Sequence, residues 1–296
     1  MPQHTLVLLN QPSAEVPPHV EGAEPFAFAD PDEPQVSVLD LGPTRGDGIF
    51  ESISVGDGYP QALEHHLRRF TRSAAALELP APDIAVWRAA IIAGIGALDP
   101  MPEAWAKTVM TRGIEGDGRP TGWVYTTRSP GFDAVREAGV RVVFLDRGYR
   151  HDVESTSPWL LAGAKTLSYA INRSVSREAV RRGADDVIFV SSDGFVLEGP
   201  SSTVVYREGD RFFTPGTGLG ILDGTTQASV FRYVESIGFE TGFRLARPEE
   251  LKSADAAWLV SSVRLAVPVR SLDGSPLVVD PGLTTDINEY LRALRE

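Results

Sequence analysis

Only three side-chain amines occur in the sequence, Lys107, Lys165 and Lys252, beside 25 arginines. A Schiff base with a carbonyl compound requires an amine, and a guanidinium cannot replace it. Covalent lysine chemistry is therefore confined to three positions. Lys165 lies in Leu161-Ala162-Gly163-Ala164-Lys165-Thr166-Leu167, a small and apolar setting. Partial desolvation there would lower the amine's pKa and make it nucleophilic; a surface loop is the plainer alternative. Lys107 falls inside a β-type run and Lys252 in an acidic, exposed stretch, so both read as incidental.

Further polar groups follow Lys165. Gly224-Thr225-Thr226 opens a helical pattern, where unpaired N–H groups and the positive end of the helix dipole favour an anion. The threonine hydroxyls add donors, which would make a phosphate cup; an ordinary helix capped by Asp223 or Thr225 would use the same residues. Glu198 stands after Phe195-Val196-Leu197 and before Gly199-Pro200-Ser201-Ser202. It is either a turn residue or a carboxylate for a buried cation or a protonated ring nitrogen. His65-His66 follow Glu64, but no second histidine stands at i, i+4, so no metal is expected and the pair reads as a solvated helix face.

Absences narrow the chemistry further. There is no cysteine, which removes disulfides, thiolate metal sites and cysteine nucleophiles. No Gly-x-x-x-x-Gly-Lys-Ser/Thr occurs, and Gly216-Thr217-Gly218-Leu219-Gly220 lacks the dinucleotide spacing. A formal net charge of −12 repels phosphate backbones and acidic membrane surfaces, so nucleic-acid and membrane partners are not expected. No basic region followed by an apolar stretch opens the sequence, and no apolar run reaches about 18 residues. A cytoplasmic globular protein is expected, and 296 residues with 42% apolar side chains support one large or two ordinary domains.

These residues need elements to hold them. Ile49-Phe50-Glu51-Ser52-Ile53-Ser54-Val55 alternates and then meets Gly56-Asp57-Gly58, which predicts a half-buried strand entering a turn. Leu63, Leu67, Phe70, Ala74 and Leu77 share one face of a predicted helix. A second helix is predicted over 84–98, with neighbouring strands over 105–111 and 122–127. Earlier short strands are predicted at 5–9 and 36–39. Ser129-Pro130-Gly131 marks a boundary, giving a smaller N-terminal domain over 1–130 and a larger one over 131–296. Beyond it, strands at 140–145, 187–190, 195–197, 203–206, 211–213, 257–260 and 266–269 mix with helices at 170–182, 225–237 and 286–294. The absence of a regular βαβ alternation predicts α+β.

In this order the segments resemble a known set. Gly46-Asp47-Gly48-Ile49-Phe50-Glu51, Glu64-His65-His66-Leu67-Arg68-Arg69-Phe70, Thr111-Arg112-Gly113, Lys165-Thr166-Leu167-Ser168-Tyr169, Leu197-Glu198-Gly199 and Gly224-Thr225-Thr226 are similar to the marks of the pyridoxal-phosphate enzymes of fold type IV. That family contains branched-chain and D-amino-acid aminotransferases and 4-amino-4-deoxychorismate lyases, and the likeness spans roughly residues 40 to 270. It implies a two-domain fold with the active site at the domain and dimer interface, hence a homodimer, and pyridoxal 5'-phosphate as cofactor. It implies Lys165 as the Schiff-base lysine and proton carrier, and Glu198 as partner of the pyridine nitrogen. Arg69, Thr225, Thr226 and Ser262 are implied as phosphate ligands, and Tyr169 as a neighbour of the cofactor hydroxyl. Phe50 and Arg112 are implied to meet the substrate, Arg112 through its carboxylate; Ser52 and Arg264 also line the expected site.

Within the family, Phe50-Glu51-Ser52-Ile53-Ser54 departs from the Phe-Glu-Gly-Ile-Arg of branched-chain enzymes, and no histidine follows Thr111-Arg112-Gly113 as in D-amino-acid enzymes. Lys165-Thr166-Leu167-Ser168-Tyr169 and Glu198-Gly199-Pro200-Ser201-Ser202-Thr203 look most like the lyases. The implied reaction is conversion of 4-amino-4-deoxychorismate to 4-aminobenzoate and pyruvate in folate synthesis. An aminotransferase of D-amino-acid or branched-chain type is the first alternative, and a catalytically silent cofactor-binding member of the fold the second.

Overall fold

The computed structural model describes residues 3–295. By internal contacts the chain divides into two compact units. Among the described residues the first runs through Pro130 and regains Ala164–Tyr169 and residues 294–295; the second comprises Gly131–Gly163 and Ala170–Ala293. A single cut after residue 130 is therefore too simple. The segment that carries Lys165 belongs to the first unit, because its backbone pairs with a strand there.

The first unit contains β1 (His4–Leu9), β2 (Phe26–Ala29), α1 (Leu41–Arg45), β3 (Gly48–Gly56), β4 (Tyr59–Pro60), α2 (Leu63–Ala76), α3 (Ile84–Gly96), β5 (Glu103–Thr111) and β6 (Thr121–Arg128). Its strands form one sheet in the order β2-β1-β6-β5-β3-β4, antiparallel throughout. Alternation along β3 buries Ile49, Glu51, Ile53 and Val55, with Ser52 and Ser54 half-buried between them. The apolar stripe of α2 supplies Leu63, Leu67, Phe70 and Ala74 to the core, and Phe70 meets Trp87 of α3 edge-on at 4.9 Å. The expected strand at 36–39 does not form. Val38 and Leu39 are exposed, and the run feeds Asp40, whose carboxylate caps α1 by accepting the Gly42 N–H at 2.8 Å.

The second unit contains α4 (Asp133–Ala138), β7 (Val140–Asp146), α5 (Val153–Thr156), α6 (Ala170–Arg181), β8 (Asp186–Val190), β9 (Thr203–Glu208), β10 (Arg211–Thr214), α7 (Thr225–Ser236), β11 (Glu240–Phe243), α8 (Pro248–Lys252), β12 (Ala256–Ser261), β13 (Leu265–Leu272), β14 (Ser275–Pro276) and α9 (Pro281–Ala293). The sheet order is β11-β10-β9-β12-β13-β7-β8, with β14 beside β13. Parallel pairs at β10–β11, β13–β7 and β7–β8 mix with antiparallel ones, as an α+β fold allows. Its core gathers Val142, Ile188, Val204, Leu259 and Val267. The expected strand at 195–197 shrinks to a single bridge, Val196 to Val190, because the chain turns away at once through Gly199 and Pro200. No described helix is long and apolar enough to cross a membrane.

One turn fixes how β5 is followed by β6. Gly113 has φ 81°, and a Cβ there would run into the Arg119 carbonyl. Gly113→Ala is expected to cost about 2–4 kcal/mol of unfolding free energy, combining a disfavoured backbone region with a clash. Urea unfolding of the purified variant measures it, and a change within about 0.5 kcal/mol would refute the strain assigned to this turn.

Candidate active site

The lysine segment is laid along β3 by the backbone. Phe50 N–H donates to the Lys165 carbonyl at 3.1 Å and Leu167 N–H to the Gly48 carbonyl at 2.8 Å, around a bridge between Ile49 and Thr166. Lys165 N–H donates to Ser73 Oγ of α2 at 3.1 Å. A Cβ at Gly48 would press on Leu167 Cδ1 and the Met110 carbonyl, so only glycine lets the segment lie this close. The surface-loop alternative for Lys165 is thus set aside. Lys165 Nζ lies 4.5 Å from the centroid of Phe50, inside the range of a cation–π contact, and Tyr169 meets the same ring edge-on at 5.5 Å. Phe50, Lys165 and Tyr169 are brought together.

Lys107 joins them, contrary to its reading as incidental. Its Nζ lies 5.2 Å from the Phe50 centroid, and burial pushes its pKa down with no carboxylate opposing the shift. The register explains the placement, since Lys107 opposes Ser52 and Val109 opposes Phe50 across β3 and β5. Alternation in the sequence shows which strand residues share a face. It does not show which strand lies alongside, so this contact was not legible there.

Behind β3 the side chains of Glu51, His66 and Arg69 form a fully buried cluster. Glu51 Oε1 accepts from Arg69 Nε at 2.7 Å, while Oε2 accepts from Arg69 Nη2 at 2.6 Å and from His66 Nδ1 at 2.7 Å. His66 is therefore not on a solvated helix face. Its i, i+3 spacing to Arg69 on α2 turns both toward the same carboxylate. Burial alone would raise the Glu51 pKa, but the charge and hydrogen bonds of Arg69, helped by His66, hold it far below the ordinary carboxylate range. Burial pushes His66 below its ordinary value despite the pull of Glu51. An ionised carboxylate only accepts, so the imidazole donates to it from Nδ1.

Arg112 is engaged as a brace. Nε and Nη2 bind the Asp47 carboxylate at 2.7 and 3.2 Å, Nη2 donates also to the Leu77 carbonyl at 2.6 Å, and Nη1 to the Glu78 carbonyl at 3.2 Å. Four of the five guanidinium N–H groups tie the end of α2 to the turn before β3.

In the second unit Thr225 and Thr226 open α7, both buried, and Ser262 Oγ lies 3.5 and 3.3 Å from their hydroxyls. The N-cap is Gly224, which offers no side-chain cap. A Cβ at Gly224 would collide with Thr203 Oγ1, which keeps a glycine at this helix entrance. Three hydroxyls at a helix N-terminus without a side-chain cap make a donor-rich cradle suited to an anion. Glu198 Oε2 accepts from Leu222 N–H at 3.1 Å and so holds the loop leading into α7. Arg264 is paired with Asp186 at 2.6 Å. No group of three or more potential metal ligands occurs among the described residues.

The buried cluster makes stability depend on pH with a definite sign. Below about pH 6.5 the unfolded chain protonates His66 while the folded chain resists, so stability falls as pH falls. The slope for this one group approaches about 1.4 kcal/mol per unit. Below the ordinary carboxylate value of 4.5, Glu51 adds a loss of the same sign, since only the unfolded chain takes up its proton. Urea unfolding between pH 7.5 and 5 is expected to show the first loss, and His66→Asn to flatten it. An equally steep decline in the variant would assign the loss to other groups.

Comparison with known proteins gives a consistent result. Residues 48–272 match the family model for amino-transferase class IV. A Mycobacterium tuberculosis protein named bifunctional aminodeoxychorismate lyase / D-amino acid transaminase is 41% identical over 261 residues, 85% of this chain and 90% of that one. The solved structure of a fold IV transaminase from Curtobacterium pusillum superposes with a TM-score of 0.94 at 53% identity, over 99% of this chain and 98% of that chain. A hypothetical aminotransferase from Mycobacterium tuberculosis, solved in its PLP-bound form, gives 0.87 at 37% identity over 98% of each chain. The chain is a member of the class IV aminotransferase family.

Proposed function

We propose that this pyridoxal-phosphate enzyme acts as a 4-amino-4-deoxychorismate lyase, releasing 4-aminobenzoate and pyruvate. The observation that carries the enzymatic reading is the placement of Lys165, one of three amines in the chain, pinned by backbone bonds and set over the Phe50 ring. The residues present fit the cofactor: an amine for its aldehyde, a cradle of hydroxyls and N–H groups for its phosphate, and a carboxylate for its ring nitrogen.

In this reading Lys165 holds the cofactor through Nζ. Thr225, Thr226 and Ser262, with Arg69, take the phosphate, and Glu198 keeps a proton on the ring nitrogen. When bound, pyridoxal phosphate supplies an electron sink for charge developing at the amine-bearing carbon of the substrate. Lys165 Nζ would take the proton from that carbon. Phe50 and Tyr169 flank the amine on one side. Cleavage of the bond between the ring and the enolpyruvyl oxygen would then leave an aromatic product, and the released enolpyruvate would take up a proton to become pyruvate.

Support for the lyase comes from the relative named as bifunctional and from a Bacillus subtilis protein named aminodeoxychorismate lyase, 25% identical over 250 residues. A transaminase is the second reading, favoured by the name of the Curtobacterium pusillum protein. A homodimer is part of the proposal, supported by exposed Trp159, Leu160 and Ile171 in the second unit.

One assay separates the readings. Purified protein loaded with cofactor should form 4-aminobenzoate from 4-amino-4-deoxychorismate with no keto acid present. No 4-aminobenzoate, together with amino-group exchange between D-alanine and a keto acid, decides for the transaminase. Lys165→Ala is expected to lower either rate by roughly a thousandfold or more. A variant with rates near those of the parent would sink the assignment of Lys165.

A further inference from the structure

The turn between β12 and β13 is held more firmly than a hairpin requires. Ser261 pairs with Leu265, which leaves Ser262, Val263 and Arg264 as the turn. Leu265 then takes φ 60°, a left-handed conformation that short hairpin loops usually give to glycine. For a leucine that conformation costs about 1–2 kcal/mol. Strain of this kind persists only where the neighbours over-determine the backbone. Three remote elements do so here. From α9, the buried Asn288 accepts the Ala266 N–H and donates to the Ala266 carbonyl, both at 2.9 Å. From α4, Arg136 Nε donates to the Arg264 carbonyl at 3.0 Å. From β8, the Asp186 carboxylate accepts from Arg264 Nη2 at 2.6 Å.

We propose that Asn288, Arg136 and Asp186 are positioning residues for the cofactor phosphate: they fix the strained turn so that Ser262 Oγ stands beside Thr225 and Thr226 at the start of α7 before an anion arrives. This rests on the reading of Ser262 as a phosphate contact. Three features carry it. Ser262 Oγ lies 3.5 and 3.3 Å from the hydroxyls of Thr225 and Thr226, so the turn already meets the cradle, and all of these residues belong to the second unit. The bonds of the three side chains fall on residues 264 and 266, two and four positions beyond Ser262, so they act on the hydroxyl through the turn. The helix that carries Asn288 is also tied to the other strand of the hairpin, where Trp258 Nε1 of β12 donates to Thr284 Oγ1 of α9 at 2.8 Å. Glycine at 265 would relieve the strain but leave the turn many conformations, whereas leucine under these restraints leaves it one. A hydroxyl held in place beforehand removes the cost of ordering it when phosphate binds.

The test measures the affinity of the apoprotein for pyridoxal phosphate and for pyridoxal, which lacks the phosphate, by equilibrium dialysis. The preference for the phosphorylated compound isolates the phosphate contact, and urea unfolding of the same variants reads general damage. Ser262→Ala is expected to lower the preference by about tenfold, the worth of one hydrogen bond to a charged group. Asn288→Asp keeps the shape and the acceptor for the Ala266 N–H but sets a carboxylate against the Ala266 carbonyl. It is expected to lower the preference by about fivefold with pyridoxal affinity nearly unchanged. Added to Ser262→Ala it should lower the preference no further, because it acts through that hydroxyl. If Ser262→Ala leaves the preference intact, the phosphate reading of Ser262 fails and the inference with it. If Ser262→Ala lowers it while Asn288→Asp only reduces stability, or if the two effects add in full, the positioning role is overturned and the phosphate contact stands. Should Asn288→Asp not fold, Asp186→Asn, which weakens the hold on Arg264, takes its place. A fall of about threefold is then expected, and an unchanged preference overturns the proposal.

Discussion

The pairing of Ala164–Tyr169 with β3 is the constraint on which the first unit's chemistry depends. Main-chain hydrogen bonds set the position of a backbone far more narrowly than side-chain packing does, because each bond fixes both distance and direction. The lysine is therefore located by strand geometry, and only its side chain remains to be oriented. Phe50 does that from the adjacent strand position. The approach works because Gly48 has no side chain at the crossing and because Ser73 takes up the Lys165 N–H that β3 leaves unpaired. Every one of these contacts joins residues remote in sequence, so none could be stable before the sheet exists.

Beneath this surface the unit carries a charged interior. Glu51 sits where β-alternation calls for an apolar residue, between Ile49 and Ile53, and is 1% exposed. A lone carboxylate there would be costly to bury, and the cost is offset by a guanidinium and an imidazole placed one helical turn apart. The polar cluster lies on the same buried face of α2 as the apolar stripe from Leu63 to Ala74.

Much of this was visible in the sequence. The alternation from Ile49 to Val55, the stripe from Leu63 to Ala74 and the scarcity of lysine gave β3, α2 and the importance of Lys165. The ordered segments carried the family. What escaped depended on partners rather than on residue type. His66 looks like any surface histidine until Glu51 is set opposite it, and Lys107 acquires meaning only from its register against Ser52. Arg112 stands in the expected motif, yet its donors are taken by Asp47 and by the carbonyls that end α2, a fact of turn geometry. The run at 36–39 has strand-forming residues, but it leads straight into Asp40, whose side chain caps α1, and the local bond prevails.

Chain order has its own consequence. The first unit regains residues far downstream: Ala164–Tyr169, and at the end Arg295, which pairs with Asp57 and covers the Tyr59 ring. During synthesis, the ribosome delivers almost all of this unit's sheet before Lys165 has been made. The early sheet must wait with the Gly48–Phe50 stretch of β3 unpaired on one flank while more than thirty further residues emerge, so the exposed hazard of a nascent chain lies where the finished protein lays down Lys165.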